Sequence, residues 1–258
     1  MLRKTTLVSV LALIAASASA EDIKVGVSPG EHAEIMEVVA EVAEPMGLNI
    51  DVVEFSDYVV PNQALADGDI EANSFQHQPY LDNQINDRGF ALVPVATTIT
   101  TPMGIYSDRI TSMDDLTDGA QVAIPNDPTN GGRALLLLQD LGIIKLAEGT
   151  GLVPSPLDIV ENPKDLKFLE LDAAQLPRTL ADADVAIINT NYAIASGLSP
   201  KDDSIAMEKA DSPYVNIIVV RDGDQGQPWV QTLIDAYHTD EVKAFIDEKY
   251  QGAVITSW

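Results

Sequence analysis

Apolar and polar positions along this chain switch between two periods, and the switching predicts its elements. Ile23-Lys24-Val25-Gly26-Val27 alternates with period two and predicts a strand, closed by Gly30. Over 32–46 the apolar residues Ile35, Val38, Val42 and Met46 share one helical face, and Pro45-Met46-Gly47 stops the helix. Residues 50–55 are strand-like again, so the chain opens as β-α-β, a parallel pair joined by a right-handed crossover. Helix-like segments follow at 62–67, 79–89, 133–141, 176–182, 191–196 and 229–250. Strand-like segments fall between them at 70–73, 91–99, 103–107, 122–125, 185–188 and 215–220. This alternation predicts an α/β fold with mixed, mostly parallel sheets. If the chain crosses between two such lobes and returns, they face each other across a cleft lined by strand ends, where open α/β sheets bind ligands.

Composition narrows the picture. Met1-Leu2-Arg3-Lys4, an apolar run over 7–16 and Ala18-Ser19-Ala20 predict a secretory signal peptide cleaved after Ala20. Loss of Arg3 and Lys4 takes the net charge down by two, from −25 to −27. So acidic a surface repels nucleic acid and anionic membrane, and excludes both as partners. The chain holds no cysteine. That removes thiol catalysis, Cys-based zinc sites and a lipidated N-terminal cysteine, and it predicts an unlipidated, freely diffusing periplasmic protein without a direct membrane anchor. Asp67-Gly68-Asp69 and Asp222-Gly223-Asp224 lack the spacing of a calcium loop, and no metal or cofactor is expected.

Four places carry candidate chemistry. Gly26-Val27-Ser28-Pro29-Gly30 matches the G-x-S-x-G of a nucleophile elbow, and His238 follows in the right order, which raises a serine hydrolase as the alternative. Against it, the elbow comes before any sheet is built and no H-G-G-G oxyanion segment is present. Ser74-Phe75-Gln76-His77-Gln78-Pro79-Tyr80-Leu81 gathers three rings between a strand and a helix, in a chain that is only 5% aromatic. Ile124 through Arg133 reads as a strand, a Pro/Asn/Gly turn and a helix start with an arginine in its first turn. A cation is unfavourable there unless it and free N–H groups converge on an anion, and without a Walker A pattern that anion is a carboxylate. Asn189 and Asn216 stand beside apolar strands, where asparagine is disfavoured, and their amide oxygens suit an ammonium group.

Taken together these segments resemble the methionine-binding (NlpA/MetQ-type) family of ABC-importer binding proteins. The resemblance runs through Gly30-Glu31-His32-Ala33-Glu34-Ile35, Tyr58 to Leu65, Asn73 to Leu81, Pro102 to Ser107 and Ile124 to Arg133. It continues in Asn162-Pro163-Lys164, Gln175-Leu176-Pro177-Arg178, Ile188-Asn189 with Tyr192-Ala193, and Ser212-Pro213-Tyr214-Val215-Asn216. It implies a non-enzymatic, two-lobed periplasmic binding protein with two crossovers. Lobe 1 is expected over 21–104 and 219–258, lobe 2 over 105–218, with hinges near 100–108 and 215–222. By position Arg133 would hold a ligand α-carboxylate, and Asn189 and Asn216 the carboxylate or ammonium. Tyr58, Phe75, His77 and Tyr80 would enclose a thioether. The implied partners are free methionine and an inner-membrane ABC permease with its ATPase, served by a monomer. Another apolar amino acid or a methionine-containing dipeptide is the alternative ligand. Two features depart from the family: members commonly carry a lipidated cysteine after the signal peptide, and Thr101 stands where relatives more often have an acidic residue.

Overall fold

The computed structural model describes residues 20–209 and 212–258. The expected signal peptide therefore lies, except for Ala20, outside the described residues. Strands β1 (Glu21–Val27), β2 (Leu48–Glu54), β3 (Ala72–His77) and β4 (Leu92–Thr100) come first, with helices α1 (Glu31–Ala43), α2 (Val60–Asp67) and α3 (Gln78–Arg88) between them. Next are β5 (Gly104–Tyr106), β6 (Gln121–Pro125), α4 (Pro128–Asp140), β7 (Lys145–Leu146), β8 (Ile159–Glu161) and β9 (Lys167–Leu171). A 3-10 helix over Ala173–Ala181 precedes β10 (Val185–Ile188), α5 (Thr190–Ala195), α6 (Pro200–Asp203) and β11 (Ala206–Met207). The chain ends with β12 (Val215–Arg221), α7 (Pro228–Tyr237), α8 (Asp240–Tyr250) and β13 (Ile255–Thr256).

The strands form two principal sheets, one per lobe, in the orders β13-β4-β12-β3-β1-β2 and β11-β5-β10-β6-β9. Each has a parallel core, β2-β1-β3 in the first and β10-β6-β9 in the second. Antiparallel strands complete them: β12 lies between β3 and β4, and β5 lies beside β10. The chain passes between the sheets twice, from Thr100 to Gly104 and from Met207 to Val215. The boundary expected at 218/219 is corrected by pairing: β12 is bonded along its length to β3 and β4, so the return crossing comes before Val215.

Helix α1 shows how the sequence makes one lobe. Ile35, Val39 and Ala43 at i, i+4 and i+8, with Met36, are fully buried against the first sheet and α7. Each large side chain among them contributes about 1.5–3 kcal/mol by leaving water. The helix ends earlier than its apolar spacing predicts, because Pro45 converts Glu44–Met46 to a 3-10 turn and Gly47, at φ 86°, reverses the chain. Met46 is consequently exposed. In the second lobe Leu135 and Leu138 of α4 bury against Val122 and Ile124 of β6.

Candidate functional site

Between the sheets lies a small cavity bordered by Thr101 of the first crossing, Asn216 at the start of β12 and the carboxyl end of β3. All seven residues singled out by sequence, Tyr58, Phe75, His77, Tyr80, Arg133, Asn189 and Asn216, line it. His32, Gln76, Thr101, Asn130 and Asn191 complete the wall.

Strand β3 supplies the floor. The segment Ala72–His77 is buried throughout and central in its sheet, although its composition is polar. A closed amide network explains this. Asn62 Nδ2 donates to Gln76 Oε1 at 2.8 Å, and Gln76 Nε2 donates back to Asn62 Oδ1 at 2.7 Å. Asn73 Nδ2 reaches Asn62 Oδ1 at 2.9 Å. Buried amides that satisfy one another avoid the desolvation cost that would otherwise exclude them. The strand therefore runs through His77 instead of ending near Asn73, and its alternation points Phe75 and His77 to one face.

Tyr80 packs edge to face on Tyr58 and Phe75, whereas Tyr58 is tilted against Phe75 and Tyr192. Tyr58 lies 6.0 Å from Phe75, 6.1 Å from Tyr80 and 5.0 Å from Tyr192, and Phe75 lies 6.0 Å from Tyr80. The Tyr80 hydroxyl donates to the Tyr58 carbonyl, and the Tyr58 hydroxyl donates across the lobes to Asn191 Oδ1 at 2.5 Å. Tyr58 and Tyr192 are held protonated by burial, which pushes both phenols up.

His77 caps α3 by accepting the Tyr80 N–H on Nδ1 at 3.1 Å. That acceptor role fixes the ring proton on Nε2, which meets Asn130 Oδ1 at 3.2 Å. Burial, with the Arg133 charge second, pushes the imidazole down to about 3, so it is neutral. Asn130 links the lobes: its Oδ1 also accepts from Asn189 Nδ2 at 2.9 Å, while its Nδ2 rests on the Asp127 carboxylate. Asn189 Oδ1 is buried without a partner among the described residues and is available to a donor in the cavity.

Arg133 occupies the second turn of α4, not the first. The helix begins at Pro128, and Asp127 caps it by accepting the Asn130 N–H. The expected placement of Arg133 at the helix start is corrected accordingly, since the cap already takes one of the end N–H groups. Arg133 is nonetheless buried, lines the cavity, and forms an ion pair with Glu208 at 2.5 Å. Its Nη2 also donates to the Thr101 carbonyl at 2.9 Å. Asn216 belongs to β12, opposite His77 in register, and its Nδ2 is 3.5 Å from Thr101 Oγ1. Thr101, noted as a departure in the sequence, thus stands at the centre of the site.

Behind this wall Glu31 is fully buried, and neither carboxyl oxygen meets a hydrogen-bond partner among the described residues. Burial pushes its carboxyl up to about 8 and pushes the adjacent His32 down to about 4. Their 3.8 Å contact is therefore between neutral groups and is no ion pair at neutral pH.

The hydrolase alternative is not assembled. Ser28 Oγ is buried with no partner among the described residues, whereas the His238 ring stacks on Trp258 at 4.8 Å and contacts the Thr97 carbonyl. Gly30 has a different reason for being glycine. At φ 88° a Cβ there would lie 2.5 Å from the Asn191 carbonyl oxygen of the other lobe.

The sequence profile of the NlpA lipoprotein family matches residues 23–258. The chain belongs to the NlpA lipoprotein family. It is 52% identical over 92% of its length to the D-methionine-binding lipoprotein MetQ of Salmonella typhimurium, covering 88% of that protein. It is 49% identical to the Escherichia coli K12 protein of that name, over 98% of this chain and 95% of the other. A nutrient binding protein from Burkholderia cenocepacia bound to methionine superposes with a TM-score of 0.89 at 53% identity, covering 92% of this chain and all of that one. The family is one of substrate-binding lipoproteins and not of enzymes. Its relatives' names also overturn the expectation of an unlipidated, freely diffusing protein, because lipoproteins are membrane-anchored. That expectation rests on the missing cysteine, which removes one attachment chemistry and says nothing more.

Proposed function

We propose that this chain is the substrate-binding protein of an ABC importer and takes methionine into the cavity between its lobes. The observation that carries the reading is one cavity that brings together a guanidinium, an amide oxygen unpartnered among the described residues, and an aromatic box. Arg133 holds the α-carboxylate through its cavity-facing edge, with Asn216 beside it. Asn189 Oδ1 accepts from the ammonium. Tyr58, Phe75, Tyr80 and the neutral His77 surround the thioether, a soft and polarisable group that favours ring edges.

The two lobes close on the ligand about the places where the chain crosses between them, at 101–103 and before Val215. The closed monomer then delivers methionine to a permease driven by its ATPase. Protein purified without refolding releases a species of methionine's mass in mass spectrometry, and titration calorimetry with methionine saturates at one site per chain. Release of a different amino acid, with no heat on adding methionine, rejects the ligand.

A further inference from the structure

Arg133 does not meet the cavity as a bare cation. Its Nε donates to both carboxylate oxygens of Glu208 at 3.1 Å, and its Nη2 donates to Glu208 Oε2 at 2.5 Å. Glu208 is itself fixed on the return crossing. Oε2 accepts the Met103 N–H at 3.2 Å, Oε1 accepts the Ser212 hydroxyl at 3.1 Å, and the Glu208 N–H donates to the Met103 carbonyl at 2.9 Å. The Tyr214 ring covers the guanidinium at 4.5 Å. Among the described residues only Nη1 of the guanidinium is left without a protein partner. The Arg133 and Glu208 side chains are 3% and 14% exposed, so water screens their charges little.

We propose that Glu208 is a specificity-determining residue: by cancelling the charge of Arg133 it makes the cavity accept a zwitterion and reject a ligand of net negative charge. This rests on Arg133 as the carboxylate holder. With Glu208 in place, guanidinium and counter-ion sum to zero. A ligand carboxylate alone would add an uncompensated charge to a buried site, which is strongly unfavourable. An α-ammonium on the same ligand restores balance. Nothing else in the wall does so, because its other residues are neutral amides, hydroxyls, rings and the neutral His32 and His77. Asp127, bonded to Asn130, adds to the demand for a positive group.

The test compares methionine with 4-(methylthio)butanoate, which keeps the side chain and carboxylate and lacks the amine. Calorimetric titration of the whole chain at pH 7 and fixed ionic strength gives the ratio of their affinities. The wild type favours methionine by about 100-fold or more, since both a charge and its hydrogen bonds are lost. Glu208→Gln keeps the shape and removes the charge, and narrows the ratio by about tenfold or more at the effective dielectric of a partly buried site. Glu208→Asp, which keeps the charge, restores the wild-type ratio. The amine's hydrogen bonds are lost equally in every variant, so the change in ratio isolates charge. A packing role alone would weaken both ligands in parallel and leave the ratio unmoved, which overturns the proposal. If Glu208→Gln does not fold, the wild type decides: binding of the amine-free acid within about tenfold of methionine refutes charge selection. A wild type that binds neither compound removes the methionine reading, a failure distinguishable from an unmoved ratio.

Discussion

Gly30→Ala separates strain within one lobe from obstruction between two. Gly30 has φ 88° and ψ −141°, a region open almost only to glycine, and an alanine held there costs about 1–3 kcal/mol whatever the arrangement of the lobes. The added Cβ also falls 2.5 Å from the Asn191 carbonyl oxygen, a backbone atom that cannot swing aside. Relief requires α1 and α5 to part, and the neighbouring 2.5 Å hydrogen bond from Tyr58 to Asn191 is the first to break. That bond is worth about 0.5–1.5 kcal/mol net, so methionine affinity falls by about three- to tenfold in addition to the stability loss. Gly47→Ala is the control. Its φ is 86°, but a Cβ there meets nothing within 4 Å, so it lowers stability by about 1 kcal/mol and leaves affinity unchanged. Urea unfolding without ligand reads the first quantity, and calorimetric titration with methionine reads the second. If both variants lose stability and neither loses affinity, the lobes do not close through Gly30 and Asn191.

The remaining predictions concern charge and the cavity wall. Arg133→Ala weakens methionine binding by about 100-fold in calorimetry, and lowers unfolding stability by about 3–5 kcal/mol because Glu208 is left buried without its cation. Unchanged affinity would reject the carboxylate assignment. Tyr58→Phe removes the hydroxyl bonded to Asn191 and costs about three- to tenfold in affinity while stability changes little; a variant equal to wild type would show that this cross-lobe bond does not act in binding. Glu31 has its folded carboxyl raised from 4.5 to about 8, so the stability it allows is fully present below pH 4.5 and is lost as pH rises through 8. Glu31→Gln should abolish that alkaline loss in urea titrations between pH 5 and pH 9. His77 behaves in the opposite sense: its folded value is lowered from 6.5 to about 3, so stability falls as pH drops from 6.5 towards 3. His77→Asn should make that limb shallower, leaving the share contributed by His32, and an unchanged acid limb would contradict a neutral His77.

What could be read from the chain follows from what periodicity encodes. The apolar strands over 23–27 and 185–188 announce themselves because both lie in parallel cores and carry their burial in their own side chains. Strand β3 does not, because Asn73 and Gln76 become tolerable in a sheet centre only through Asn62, eleven and fourteen positions away. No local pattern records such a partner. The start of α4 escapes the sequence pattern for a related reason: Gly131 and Gly132 weaken helix propensity, yet they are glycine because the backbones of Pro125 and Leu152 approach within 2.7 and 2.8 Å of where a Cβ would be. Tertiary approach, not a turn, set their identity. The same logic applies to the site. Phe75, His77, Tyr80 and Arg133 stand out in the sequence because rings and arginine are scarce there, whereas Tyr58 enters only through the family resemblance; all of them line the cavity. Glu208 was one acidic residue among forty Asp and Glu, and nothing in its neighbours marks it. Its role exists only once the two crossings lie side by side, with Met103 and Glu208 bonded in both directions, so the charge balance is a property of the paired crossings and not of any segment alone.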